Sequence, residues 1–310
     1  MVLIITGPTA TGKTRLGVLL AKKLGGEIIS ADSMQIYRGM DIGTAKPGQE
    51  EMEGVPHHML DIVEPDENYS VARYAKEATA CVQRVLEAGK LPIIVGGTGL
   101  YIDALITGKQ FAEGGKSDGL RDMLSERFCN IGGEAMLEEL SRIDPESADK
   151  LHPNDKKRIT RAFEVYMQTG KTISEYNRET RSIPPRYNAL KIALSYKDRE
   201  KLYERIDTRV DEMVERGLLE EARRLIDGGL SSECTAMQAI GYKELAGVIA
   251  GEYDMGEAVE KIKRESRRYA KRQLTWLRRD ESVHWIQWED APDFDTAVRI
   301  STQLLNEFGI

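Results

Sequence analysis

The chain has 310 residues, enough for one large domain or two modest ones and for a substantial core. Its net charge of −7 at first weighs against a nucleic-acid partner, because binding phosphates needs cationic surface, although a whole-chain sum hides local distribution. Three cysteines (Cys81, Cys129, Cys234) lie far apart without C-x-x-C spacing, which argues against a disulfide framework or a zinc site, and no apolar run approaches the roughly 18 residues of a membrane span.

The opening MVLIITG runs straight into a strand pattern with no room for a signal peptide, so a cytoplasmic protein is expected. Val2–Thr6 reads as a buried strand. ITGPTATGKT follows, in which Gly7, four residues, then Gly12, Lys13 and Thr14 make the G-x-x-x-x-G-K-[ST] pattern. Leu16, Leu19, Leu20 and Leu24 continue it as a helix over 14–24 that Gly25-Gly26 ends. Strand, glycine loop and helix together aim backbone N–H groups and a helix N-terminus at an anion. Lys13 adds a point charge, and the Thr14 hydroxyl can hold Mg²⁺.

Further strands are expected at Glu27–Ser30, His58–Ile62, Leu91–Val95 and Leu190–Ser195, with VHWIQW (283–288) as a last edge strand. A helix over 70–88 carries Val71, Ala75, Ala78, Val82 and Val85 on one face. Residues 116–185 contain no convincing strand; they offer polar helical segments at 119–129, 134–142 and 154–169. A second long helix, Ser195 to Gly217, follows with Leu202, Ile206, Val210 and Met213 aligned. The expected fold is therefore α/β: a P-loop NTPase-like parallel sheet flanked by helices, formed by residues 1–115 and 186–310, with a helical insertion domain at 116–185.

Ligands of open parallel sheets bind beyond the carboxyl ends of the strands. There the chain carries SADSMQIYRGMDIGTAKP (30–47), beginning near Asp32, and GGTGLY (96–101), with Thr98 among glycines. Asp32 is either a functional carboxylate or a helix cap. The adjacent His57 and His58 would point apart on a strand and are read as structural. An ATPase would need an acid after an apolar strand to help hold Mg²⁺. Asp61 is the nearest one, and LPIIV runs into glycine with no acid. The loop could thus serve a small-molecule kinase, or hold the diphosphate of another molecule as a leaving group. KIKRESRRYAKRQLTWLRR (261–279) weighs toward the second reading: nine of its nineteen residues are Lys or Arg, against Glu265 alone. With NDKKRITR (154–161) it suggests a polyanionic substrate.

GPTATGKT, DSMQIYRGMDIGTAKP, HHMLDI, GGTGLY, NDKKRITRAFEV, QAIGYKE and KRQLTWLRR, in that order, resemble the tRNA dimethylallyltransferases over nearly the whole chain. The resemblance implies transfer of a dimethylallyl group from dimethylallyl diphosphate to the exocyclic N6 amine of adenosine 37 in the tRNA anticodon stem-loop. The P-loop, Gly7, Pro8, Thr9, Ala10, Thr11, Gly12, Lys13 and Thr14, would grip the diphosphate with Mg²⁺ as cofactor and Thr14 as its ligand. Asp32 is the expected general base, and Lys13, Thr14 and an arginine, Arg205 in preference to Arg209, would meet the leaving group. Expected tRNA contacts are Asp32, Ser33, Met34, Gln35, Thr98, Arg121, Lys157, Arg158, Ile159, Thr160, Arg161, Gln238, Gly241, Tyr242, Lys243, Lys271, Arg272, Gln273, Trp276 and Arg278. A monomer is expected, and the absence of a C-terminal zinc finger resembles the bacterial form. Two alternatives are an adenylate isopentenyltransferase acting on a free nucleotide, which needs no basic stripe, and a small-molecule kinase, which would turn over ATP.

Overall fold

The computed structural model describes residues 1–108, 119–181 and 183–309. The chain divides into two compact units, residues 1–106 with 187–310, and residues 107–186. The boundary expected between residues 115 and 116 lies outside the described residues.

The larger unit begins β1 (Val2–Thr6), α1 (Lys13–Leu24), β2 (Gly26–Ser30), α2 (Gln49–Met52), β3 (His57–His58), α3 (Val71–Glu87), β4 (Leu91–Val95) and α4 (Gly99–Thr107). The smaller unit contributes α5 (Leu120–Ile143), α6 (Pro145–Ala148), α7 (Lys156–Thr169) and α8 (Ile173–Arg181). The chain then returns with β5 (Ala189–Tyr196), α9 (Arg199–Glu215), α10 (Leu218–Asp227), α11 (Tyr242–Ile249), α12 (Met255–Leu277), β6 (Val283–Trp288) and α13 (Phe294–Glu307).

The six strands form one parallel sheet in the order β3-β2-β4-β1-β5-β6, with β6 at an edge as expected. Alternate residues of β1 feed opposite faces, as strand geometry requires. Leu3 and Ile5 join a core with α1, α9 and α13, whereas Val2 and Ile4 pack with Tyr74, Ala78 and Val82 of α3 and with α4. A third apolar cluster joins Ile36, Tyr37 and Met40, in the segment after β2, to α10, α11 and the start of α12. That cluster fixes the loop after β2 where the site is built.

Four expected elements differ in extent. The strand expected at His58–Ile62 pairs with β2 only through His57 and His58, because Met59 and Asp61 adopt left-handed backbone (φ 65° and 51°) and turn the chain away. The helices expected at 119–129 and 134–142 are two halves of α5, kinked at Gly132. The helix expected from Ser195 starts at Arg199, after Asp198 caps it by accepting from the Glu200 amide.

Candidate active site

The loop from Gly7 to Lys13 turns beyond the carboxyl end of β1. Gly12 sits at φ +84°, and a Cβ there would lie 2.8 Å from the Phe294 ring, so both conformation and space call for glycine. Side chains from distant parts of the chain back the loop. Trp288 Nε1 donates to the Thr11 carbonyl (3.0 Å), and the Thr9 amide donates to Gln273 Oε1 (3.0 Å). Lys13 Nζ donates to the Pro8 carbonyl at 2.6 Å. Loss of hydration, with repulsion from Arg209, pushes Lys13 down to about 7, against an opposing pull from Asp32.

The loops after β2 and β4 are tied to each other. The Ser33 amide donates to Thr98 Oγ1 (3.1 Å) and the Thr98 amide to the Ala31 carbonyl (3.1 Å). A Cβ on Gly96 would stand 2.3 Å from the Ala31 oxygen, so only glycine permits this approach. Asp32 Oδ1 accepts from the amides of Met34 (2.9 Å) and Gln35 (3.4 Å). Asp32 thus does cap a turn, and no protein donor reaches its Oδ2 among the described residues. The two readings of Asp32 are compatible, one for each oxygen.

Two cavities meet at this point. One, of about 480 Å³, is lined by Thr9–Thr14 together with Arg205, Arg209 and the Thr44–Pro47 segment. The other, of about 290 Å³, is lined by Ser33, Met34, Gln238, Gly241 and Arg272 among apolar side chains of α9, α10 and α12. Thr9, Asp32, Thr44, Arg209, Met213 and Tyr269 line both and therefore form a neck between the end lined by the 9–14 loop and a more apolar end. Burial, then the Asp32 charge, pushes the Tyr269 hydroxyl up to about 12.

Several expected site residues have other roles. Arg205, the favoured arginine, pairs with Glu212 (3.1 Å), whereas Arg209 donates to Thr9 Oγ1 (3.4 Å) in the neck. Arg209 is thus the one on the loop. Tyr242 is fully buried and donates to Glu221 (2.6 Å), and Gln273 is 7% exposed with its amide spent between Thr9 and Gly97; neither side chain offers an RNA-facing surface. Ile159 is fully buried within the helical unit, and Thr160 turns its hydroxyl to the Lys156 carbonyl. Trp276 covers Gly99 and donates to Asp103 (3.2 Å). In the helical unit Arg121 and Arg161 share the buried Glu164, while Lys157 and Arg158 are exposed and have no ion-pair partner among the described residues. Along α12, Lys263 and Arg267 are held by Asp211 and Asp207 of α9, and Arg268 by Glu265. Lys243, Lys271, Arg272 and Arg278 are exposed without ion-pair partners among the described residues. Asp61, the acid nearest to an ATPase pattern, bonds Lys46 and does not line either cavity.

Residues 35–280 match the family model described as IPP transferase. The chain is 47% identical over 309 residues to the tRNA dimethylallyltransferase of Acetivibrio thermocellus, covering 100% of this chain and 98% of that protein. It is 50% identical over 297 residues to that of Geobacillus kaustophilus, covering 96% and 93%. Among solved structures, the full-length tRNA isopentenylpyrophosphate transferase of Bacillus halodurans superposes with a TM-score of 0.75 at 43% identity, covering 99% of this chain and 96% of that one. A eukaryotic dimethylallyltransferase crystallised acting on tRNA gives 0.83 at 31% identity, covering 99% and 79%. A match over this length, on this loop and this sheet, makes the chain a member of the IPP transferase family, whose relatives here are tRNA dimethylallyltransferases.

Proposed function

We propose that the protein transfers the dimethylallyl group of dimethylallyl diphosphate to the N6 amine of adenosine 37 in tRNA, in the cytoplasm, and releases diphosphate. The observation that carries this reading is the neck: a carboxylate with a free oxygen stands where a phosphate-gripping cavity opens into an apolar one. The adenine amine is a weak nucleophile because its lone pair is delocalised into the ring. As the N–C bond forms and the C–O bond to diphosphate breaks, Asp32 takes the amine proton on Oδ2. The charge growing on the leaving diphosphate is met by the loop amides, Lys13 and Arg209. An adenine must leave its stack to reach this depth, a cost of about a few kcal/mol that contacts to neighbouring nucleotides offset.

Thr14 suits a magnesium ion bound together with the diphosphate. Its hydroxyl stands in the first turn of α1, lines the cavity, and has no protein partner among the described residues. No group of three or more His, Cys, Asp or Glu side chains that could cage a metal occurs among the described residues. Such an ion would neutralise charge on the leaving group. Among the described residues no helix is long and apolar enough to cross a membrane.

The test is direct. Labelled dimethylallyl diphosphate is incubated with the protein and unmodified tRNA, and label is expected on the RNA. Label on free adenylate instead would favour a nucleotide transferase, and phosphate release from ATP would favour a kinase.

A further inference from the structure

Glu221 lies on α10 in the run LLEEARRLID, where its neighbour Glu220 is exposed. Glu221 is 2% exposed, and its carboxylate has no ion-pair partner among the described residues. Instead it gathers three consecutive backbone amides, those of Asp41, Ile42 and Gly43, at 2.9–3.0 Å, and the Tyr242 hydroxyl at 2.6 Å. Burial and the Glu221 charge push that hydroxyl far up, so Tyr242 stays a donor. Three successive amides converging on one anion form the concave backbone shape that elsewhere holds phosphates. Here the protein fills it with its own carboxylate.

The loop held in this way continues directly into the reaction neck. The carbonyls of Thr44 and Ala45 accept from Gln35 Nε2 at 3.2 and 3.1 Å. The Gln35 side-chain oxygen accepts from Ser30 Oγ (3.2 Å), and the Gln35 amide donates to Asp32 Oδ1. A chain of hydrogen bonds therefore runs from Glu221 through residues 41–45 and Gln35 to Asp32. Lys46 pins the far end of the same loop to the Tyr37 carbonyl and to Asp41. Inside the loop, Thr44 Oγ1 donates to the Met40 carbonyl (2.6 Å), and the Ala45 and Lys46 amides donate to the carbonyls of Ile42 and Asp41 (3.0 and 2.9 Å); the Glu221 carboxylate adds the hold on the three amides of 41–43, which those bonds leave unpaired.

We infer that Glu221 is a positioning residue for transfer: it shapes the 41–45 loop so that Gln35 holds the Asp32 turn with one carboxylate oxygen facing the substrate. A role through Asp32 rests on the transferase reading above; the mechanical link from Glu221 to the Asp32 turn does not.

Glu221→Gln keeps size but turns an amide N–H₂ toward amide donors. In the full-length protein, hydrogen exchange should quicken at residues 41–43 and, through the link, at the amides of Met34 and Gln35. Faster exchange confined to 41–43 would overturn the proposal whether or not the protein transfers a prenyl group. Single-turnover transfer to tRNA should fall about 10- to 100-fold, while dissociation constants for tRNA and dimethylallyl diphosphate stay within about threefold. Glu221→Gln and Gln35→Ala should be strongly non-additive in rate, because both break one chain; additive losses would overturn the link, as would a Glu221→Gln rate within twofold of wild type. If Glu221→Gln does not fold, Tyr242→Phe removes one donor and keeps the carboxylate. It should then show the same coupling to Gln35→Ala at a smaller amplitude, and its absence would overturn the proposal. A wild-type protein that places no label on tRNA, with exchange still spreading to residues 34 and 35, would refute the transferase reading and leave the linkage standing.

Discussion

The side chain of Gln273 on α12 accepts the Thr9 amide at 3.0 Å, while its nitrogen donates to the Gly97 carbonyl at 2.9 Å. One buried amide thus fastens the phosphate loop after β1 to the glycine turn after β4. Gln273→Ala leaves both partners unpaired, and an unsatisfied buried group costs about 1–3 kcal/mol. The expected outcome is a lower denaturant midpoint with an unchanged slope, together with weaker diphosphate binding. An unchanged midpoint would mean that water replaces the side chain without loss.

Arg209 and Arg205 are separated by one helical turn, and only Arg209 reaches Thr9. Arg209→Ala should lower single-turnover transfer by about 10²–10³-fold, the range for losing one donor to a developing oxyanion. Arg205→Ala should cost only a few-fold. Equal losses in the two variants would return the assignment to either residue.

Lys13 carries a pH signature. Its folded value of about 7 lies below its ordinary 10.5, so between these limits the unfolded chain holds the extra proton. Stability contributed by this group therefore rises with pH across roughly 7 to 10 and is at its least below 7. Thermal unfolding of wild type against Lys13→Met over pH 6.5–9.5 should show the wild type gaining relative to the variant as pH rises. Bound diphosphate recharges Lys13, so binding above pH 7 should take up a proton. Calorimetry in buffers of different ionisation heat checks this, and the uptake should vanish in Lys13→Met.

Much of this arrangement was legible in the sequence because it is written in short-range pattern. The strand–loop–helix of residues 2–24 and the strand Leu91–Val95 appear at or within a residue of the expected bounds. What the pattern left open depended on packing between distant segments. Arg205 and Arg209 share one helix face, and which turn meets the loop follows from where Asp198 starts α9 and how Leu202, Ile206 and Val210 pack. Glu221 has the appearance of a solvated charge in an amphipathic helix until Tyr242 and the 41–43 amides close over it. The burial of Ile159 was readable in principle, since Phe163 four residues on lies on the same inward face.

The basic stripe of α12 divides by partner. Arg267 is bound to Asp207, whereas Arg272 has no ion-pair partner among the described residues and lies 5.6 Å from the Tyr269 ring. Arg272→Ala should weaken tRNA binding and reduce the slope of log K against log salt by about one. Arg267→Ala should leave the slope nearly unchanged and act on stability. Equal slopes for wild type and Arg272→Ala would make that arginine a solvated surface residue.

Asp32→Asn separates the two roles that one side chain holds. Asn retains an oxygen for the Met34 and Gln35 amides, and it caps as well as Asp, so thermal unfolding should stay close to wild type. What the substitution removes is a proton acceptor at the oxygen facing the neck. General-base contributions run to about 10²–10⁴-fold, so single-turnover transfer should fall by that order. Affinity for dimethylallyl diphosphate should hold, while tRNA affinity changes by no more than the loss of one hydrogen bond to the amine, about 1 kcal/mol. A stable variant with near-normal transfer would exclude Asp32 as the base and send the amine proton to a diphosphate oxygen instead. A variant that loses stability and rate together would mean that the cap, and not the second oxygen, is what the reaction requires.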